Sequence, residues 1–274
     1  MSHSSVVRRL STDAVGLSFS GCGFLGVYQL GVAQCLRKHA RSTVLDRVDK
    51  MAGASAGSLV ASILTTCPFK LEECCDAFYK LAREIHELTF GALTKDFSLI
   101  KRLESALNAI LPPDAHKLAS NKVYVSLTRK KDYTNAIISC FESREMLIQC
   151  LLASCFIPVY ASRSDPYPII DGEEYADGGL TNNLPRLDST NMITVSPFSG
   201  EADISPFDAT LFDWTMKVSN QSMRVNIYNV VRGAQALFPP TIDVLESYER
   251  LGYINAMLYL QKNGLFEREA GTEI

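Results

Sequence analysis

Histidine is sparse in this 274-residue chain. There are four, His3, His39, His86 and His116, and none follows residue 116. Any chemistry that needs an imidazole from the second half of the chain is therefore excluded. Other absences narrow the field. No Cys/His group has the spacing of a structural zinc site, so no metal is expected. No apolar run is long enough to span a bilayer. With 27 basic and 30 acidic residues the net charge is −3, and the basic residues are scattered. That leaves no electrostatic footprint for nucleic acid; Arg8-Arg9 and Lys130-Lys131 read as solvated charges. No linker, low-complexity tract or internal repeat is evident. Met1 to Ser11 is polar with two arginines and does not read as a signal peptide.

What is present fits one large α/β domain. The hydrophobic fraction is 47%, ample for a buried core. Eight cysteines occur, but Cys74-Cys75, Cys150 and Cys155 fall in helical patterns and Cys22 lies in a glycine turn. They read as reduced core residues of an intracellular protein, not as a disulfide framework.

Two glycine-rich turns stand about thirty residues apart: Gly21-Cys22-Gly23-Phe24-Leu25-Gly26 and Gly53-Ala54-Ser55-Ala56-Gly57. The first follows the strand-like Ala14 to Phe19 and precedes a helical stretch from Val27 to His39. Its amides suit an anion at a helix N-terminus. Alone, it also fits a dinucleotide fingerprint, with Asp46 near the spacing of a ribose-binding acid. The second has the Gly-x-Ser-x-Gly form of a nucleophile elbow, between an expected strand over 44–51 and an apolar helix from Ser58 to Leu64. The alternative is a small-residue turn where a helix packs closely on a sheet. In α/β-hydrolases the histidine follows the acid along the chain. Here none follows, so a carboxylate must take the serine proton directly, which it can do if desolvation raises its pKa.

Two Asp-Gly pairs offer that carboxylate. Asp171-Gly172, between Ile169-Ile170 and Glu173-Glu174-Tyr175, reads as a type I′ hairpin turn. Asp177-Gly178-Gly179 follows the second arm, and its glycines allow close backbone approach. Asp177 alone also fits an ordinary loop or N-cap aspartate.

In this order, Gly21-x-Gly23-x-x-Gly26, Gly53-x-Ser55-x-Gly57 and Asp177-Gly178-Gly179 resemble the patatin-like phospholipase domain family. Leu152-Ala153-Ser154-Cys155-Phe156-Ile157-Pro158, Ser196-Pro197-Phe198-Ser199-Gly200, Asp203-Ile204-Ser205-Pro206 and Leu237-Phe238-Pro239-Pro240 are similar to its animal adiponutrin and adipose triglyceride lipase branch. The short stretch after Pro240 resembles the smallest member. The resemblance implies a three-layer α/β/α sandwich with a mixed central sheet, spanning 14–240. It would be preceded by a flexible tail over 1–13 and followed by a packed helical extension over 241–274. It implies a cofactor-free Ser–Asp dyad hydrolase of lipid esters, triacylglycerol or retinyl ester, with acyl transfer to another alcohol as a second activity. Phospholipase A-type hydrolysis, and a lipid-surface scaffold that sequesters a lipase or its activator, are the rival readings. Ser55 would be nucleophile and Asp177 general base. The amides of Gly21, Cys22, Gly23 and Phe24 would form the oxyanion hole. Leu25 stands where plant patatins often carry a basic residue, which disfavours recognition of a phospholipid head group. The implied partner is a neutral lipid met at a membrane or lipid-droplet surface in the cytoplasm; no protein activator is specified.

Elsewhere, residues 71–90 and 98–110 carry amphipathic helical stripes. They face either the core or a lipid. Helices are also expected near 142–155, 214–236 and 241–262. Strands Lys122–Thr128 and Asn135–Phe141 alternate as a neighbouring pair.

Overall fold

The computed structural model describes residues 15–94, 97–158, 160, 166–188, 190–209 and 214–267. The expected tail over 1–13 lies outside them. Four strands run parallel in the order β7 (Asn191–Val195), β1 (Val15–Phe19), β2 (Val48–Ala54) and β3 (Val123–Arg129). Such strands are buried on both faces, and β1 is wholly so, as a central parallel strand must be. Three antiparallel strands complete a mixed sheet: β4 (Asn135–Ile138), β5 (Ile169–Ile170) and β6 (Glu173–Asp177). The β5–β6 turn is the expected one, with Asp171 and Gly172 at φ 51° and 80°, the signature of type I′.

The register on β3 decides where the motifs meet. β4 pairs with Val125 to Thr128, so it fills one edge of β3. β2 pairs with Val123 to Ser126, and β6 with Leu127 to Arg129. These two do not overlap, so they share the other edge end to end. Ala54 pairs with Ser126 and Asp177 with the next residue, Leu127. The last residues of β2 and β6 are thereby driven together from positions more than a hundred residues apart in sequence.

Helices cover this sheet. α1 (Gly26–His39) and α2 (Ala56–Thr66) are the crossovers between parallel strands, and both are buried on nearly every side. α3 (Leu71–His86) and α4 (Leu99–Ile110) have the expected stripes. Leu71, Cys74, Ala82, Ile85, Leu99, Leu107 and Ile110 enter the core, and Ser98 caps α4 by accepting from Lys101 N. The short α5 (Ala115–Ala119) leads into β3. α6 (Arg144–Ser154) is capped by Ser143, which accepts from Met146 N. One cluster joins β1, α1, α2, α3 and α6 to Leu245, Ala256 and Leu260 of the last helix.

The expected helix over 214–236 is corrected. Its first half is a hairpin, β8 (Thr215–Val218) and β9 (Gln221–Arg224), and only α7 (Ile227–Leu237) is helical. Ser219 and Asn220 turn the chain at φ 43° and 64°, a two-residue turn that needs left-handed backbone at both positions. α8 (Ile242–Lys262) matches its expected span. The strand expected over 44–51 is shifted: Leu45–Arg47 forms a single 3-10 turn and the strand begins at Val48. All eight cysteines are unpaired, seven of them buried and Cys140 exposed.

Candidate active site

Ser55 joins β2 to α2 at φ 51° and ψ −130°. Few non-glycine residues adopt this backbone, which costs of order 1–3 kcal/mol and persists only where the surroundings impose it. Gly53 and Gly57 explain how. A Cβ on Gly53 would strike the Gly57 backbone, and one on Gly57 would strike the carbonyls of Phe19 and Ser20. The two glycines let the limbs of the turn touch each other and the end of β1, leaving Ser55 at the apex. Ser55 N donates to Ser154 Oγ at 2.8 Å, and Ser154 Oγ donates to Ser126 O at 2.7 Å. The elbow is thus tied to α6 and β3.

Ser55 occupies the N-cap of α2, where a serine side chain usually accepts an amide of the first turn. It does not do so here. Ser58 Oγ instead donates to Ser55 O at 2.7 Å. The Ser55 hydroxyl thus sits at the positive end of a helix without capping it.

Asp177 ends β6 and is 3% exposed. Its N–H donates to Phe156 O at 2.8 Å, and its carbonyl accepts from Thr128 Oγ1 at 2.7 Å. Oδ1 accepts from Gly179 N at 2.7 Å. Oδ2 is buried and has no hydrogen-bond partner among the described residues. Burial lifts this carboxyl to about 6, against the Ser55 hydroxyl and the Gly179 amide, which lower it. Gly178 packs on β3, where a Cβ would overlap the Ser126 carbonyl.

The first glycine turn lies beside this pair at the C-terminal end of β1. The expectation that Gly21 supplies an oxyanion donor is corrected, because its N–H already donates to Asn183 O at 3.0 Å. Among the described residues, the amides of Cys22, Gly23 and Phe24 donate to no backbone carbonyl outside their own 3-10 turn. Gly26 opens α1. Asn183 clamps the turn from both sides, since its Nδ2 also donates to Gly21 O at 3.1 Å and to Gln221 Oε1 at 2.6 Å. Sequence reasoning missed Asn183, Gln221 and the role of Ser154. Asn183 sits in the polar run after Gly179, the one local signal that pointed its way.

The alternatives resolve on geometry. Asp46 lies before β2, whereas Gly21–Gly26 follows β1. β1 and β2 are parallel, so the two lie at opposite ends of the sheet, and Asp46 cannot serve a ribose bound at the glycine turn. Among the described histidines, His39 pairs with Tyr253 OH and His86 with Pro240 O, and neither they nor His116 line the cavity. Burial pushes the Cys22 thiol far up, and the Asp177 carboxylate adds to it. Cys155 is raised in the same way by burial and Asp177, despite an opposing contact with the Ser55 hydroxyl. Both thiols stay protonated and cannot compete as nucleophiles.

A cavity of about 470 Å³ opens over Ser55 and Asp177. Phe78 and Leu81 of α3 and Leu99 and Leu103 of α4 form one wall, and Met216, Val218 and Val230 belong to another. One edge of each amphipathic stripe enters the core and the adjoining edge lines this cavity. The cavity lining is largely apolar. No group of His, Cys, Asp and Glu among the described residues has the form of a metal site.

A mixed central sheet flanked by helices, with an elbow serine at the end of β2 and a buried acid at the end of β6, is in keeping with the patatin-like class of lipid hydrolases and acyltransferases. The Patatin family, described as patatin-like phospholipase, matches residues 17–188, and this chain belongs to it. Human patatin-like phospholipase domain-containing protein 4 is 45% identical over 92% of the chain and 99% of its own length. Human patatin-like phospholipase domain-containing protein 2 is 43% identical over 92% of the chain, which spans 49% of that protein. The human omega-hydroxyceramide transacylase is 36% identical over 90% of the chain and 46% of its own length.

Proposed function

We propose that this protein hydrolyses lipid acyl esters through a Ser55–Asp177 dyad, with neutral esters such as triacylglycerol and retinyl ester as substrates. Ser55 Oγ attacks the ester carbonyl while its proton passes to Asp177 Oδ2. The charge that develops on the carbonyl oxygen is met by the amides of Cys22, Gly23 and Phe24, each well-placed donor contributing about 3 kcal/mol. Collapse expels the alkoxide, which takes the proton from Asp177. Water then gives a proton to Asp177 and attacks the acyl-Ser55 ester, and collapse of that second intermediate releases the acid as Ser55 Oγ takes the proton back from Asp177. The observation that carries this reading is the buried Oδ2, without a hydrogen-bond partner among the described residues, at the strand end next to an elbow serine that caps nothing.

Acyl transfer to an alcohol uses the same acyl-enzyme. The similarity to a protein named as a transacylase favours keeping it as a second outcome. The substrate would be met at an intracellular membrane or lipid-droplet surface; no helix among the described residues is long and apolar enough to cross a membrane.

The test is a panel of triacylglycerol, retinyl ester and phospholipid, with and without added monoacylglycerol as acceptor. Ser55→Ala is expected to lose at least about a thousandfold in rate on every substrate that the wild type turns over. Wild-type rates in Ser55→Ala would refute the reading, and transfer products appearing only with the acceptor would assign the second activity.

A further inference from the structure

α7 is built inside out. Its one charged residue, Arg232, is 7% exposed, while Val230 beside it is 66% exposed. Ile227, Tyr228, Val231 and Leu237 also face outward. Helices of water-soluble domains ordinarily show the reverse, and a contiguous apolar face of this kind marks a binding surface. The inversion has a specific cause. Arg232 forms a bidentate pair with the buried Asp208, with nitrogen–oxygen distances of 2.7 and 2.8 Å. That pair orients the helix and turns its valines outward.

Next to α7, the β8–β9 hairpin exposes Met216 and Val218. Met216, Val218, Val230 and Leu237 are at once exposed and part of the cavity wall, so they form its rim. α7 also lies directly on the glycine turn, where a Cβ on Gly23 would strike the Ala236 carbonyl. Charge follows the same boundary. From Trp214 to Ile242 the chain has no aspartate or glutamate, although it carries 30 in all. Lys217 stands exposed within that acid-free stretch.

The geometry points to the outer face of α7 with the β8–β9 hairpin as the surface that docks on a phospholipid-coated lipid particle, so that the cavity mouth opens into the lipid. This rests on the hydrolase reading. A protein seated here would close the entrance, whereas a lipid surface supplies it. The lack of acidic residues from Trp214 to Ile242 limits repulsion from lipid phosphates, and Lys217 attracts them. The apolar side chains then enter the interface as those of a surface-lying helix do.

The test uses Ser55→Ala protein, so that binding is read without turnover, floated with triolein emulsion coated by phosphatidylcholine and phosphatidylserine. Ile227 and Val231 lie outside the cavity wall. In the Ile227→Ser/Val231→Ser variant the bound-to-free ratio is expected to fall about tenfold or more. Leu at both positions should restore it. With Ser55 intact, hydrolysis of a dissolved short-chain ester by the double serine variant should stay within about twofold of wild type. Lys217→Glu should weaken binding to phosphatidylserine-containing particles more than to those of phosphatidylcholine alone. Phe238→Ser, at the exposed end of α7, is an independent second variant expected to act in the same direction. Undiminished flotation of both variants, or a wild type that does not float, overturns the proposal. So does a wild-type dimer that the serine variant dissociates, because a second copy would then be the occupant. Ester hydrolysis by Ser55→Ala at the wild-type rate, with flotation intact, would count against the dyad and leave the docking surface standing.

Discussion

Burial lifts the Asp177 carboxyl from its usual 3.8 to about 6. A carboxyl with that value is ionised at neutral pH, as the proposed general base must be. Ester hydrolysis should rise with pH through about 6. The same shift destabilises the fold. Between 3.8 and 6 the native state holds a proton that the unfolded chain releases, so stability falls as pH rises through this window, by about 3 kcal/mol in total. Asp177→Asn removes the buried charge. The variant is expected to be inactive and yet to melt at a higher temperature than wild type at pH 8, with the gain vanishing below about pH 4. Thermal denaturation at the two pH values checks this; equal midpoints at pH 8 would contradict it. Ser55 and Asp177 were legible in sequence because glycines flank them and leave a local pattern. Ser154 and Asn183 left almost none. Each works through hydrogen bonds to backbone roughly a hundred or more residues away, and no short window of sequence contains both partners.

Among the elements, the segment after residue 213 was the least legible. Thr215 to Arg224 contains no glycine, and its Met216, Val218 and Met223 fit a helical stripe as well as a strand. The chain turns at Ser219-Asn220, where asparagine tolerates left-handed backbone, a weaker mark than the Asp171-Gly172 turn that was read correctly. Nor does sequence announce that α7 buries its arginine. Burial pushes Asp208 up, but hydrogen bonds from Arg232, Ser199 and Asn226 outweigh it, and its carboxyl lies below the usual range. Arg232→Leu would leave that carboxylate buried without its cation. The expected cost is about 3–5 kcal/mol, read as a shift in the urea midpoint. Asp208→Leu added to it should recover part of the loss, since a buried pair replaced by apolar groups is tolerated better than a broken one. A single variant as stable as wild type would show that the pair does not hold α7.

At the scale of the whole molecule, catalytic geometry depends on a helix crossing far from the reacting atoms. α1 begins at Gly26, immediately after the glycine turn, and α8 packs along its back. The crossing is close because both helices carry glycine there: a Cβ on Gly252 would overlap the Tyr28 carbonyl, and one on Gly31 the Glu249 carbonyl. Tyr28 OH also donates to Asn255 Oδ1 at 2.9 Å across the same interface. Alanine at 252 would gain up to about 1 kcal/mol in helix propensity. The clash is with backbone, however, and no side chain can swing aside, so the helices must separate and loosen Leu245, Ala256 and Leu260 from the core. Overpacking of this kind costs about 1–3 kcal/mol, and the clash should win. Gly252→Ala is therefore expected to lower the urea midpoint. Gly233→Ala, in α7 where a Cβ meets nothing within 4 Å, should raise it by the propensity gain alone. The same substitution in two helices then acts with opposite signs. Because α1 carries the glycine turn proposed to bind the oxyanion on its N-terminus, Gly252→Ala should also lower the rate on a dissolved ester at pH 8, where Asp177 is ionised in both proteins. A Gly252→Ala protein with an unchanged midpoint would mean that α8 can move off α1 freely, and that the glycine turn is held by Asn183 and the end of β1 instead.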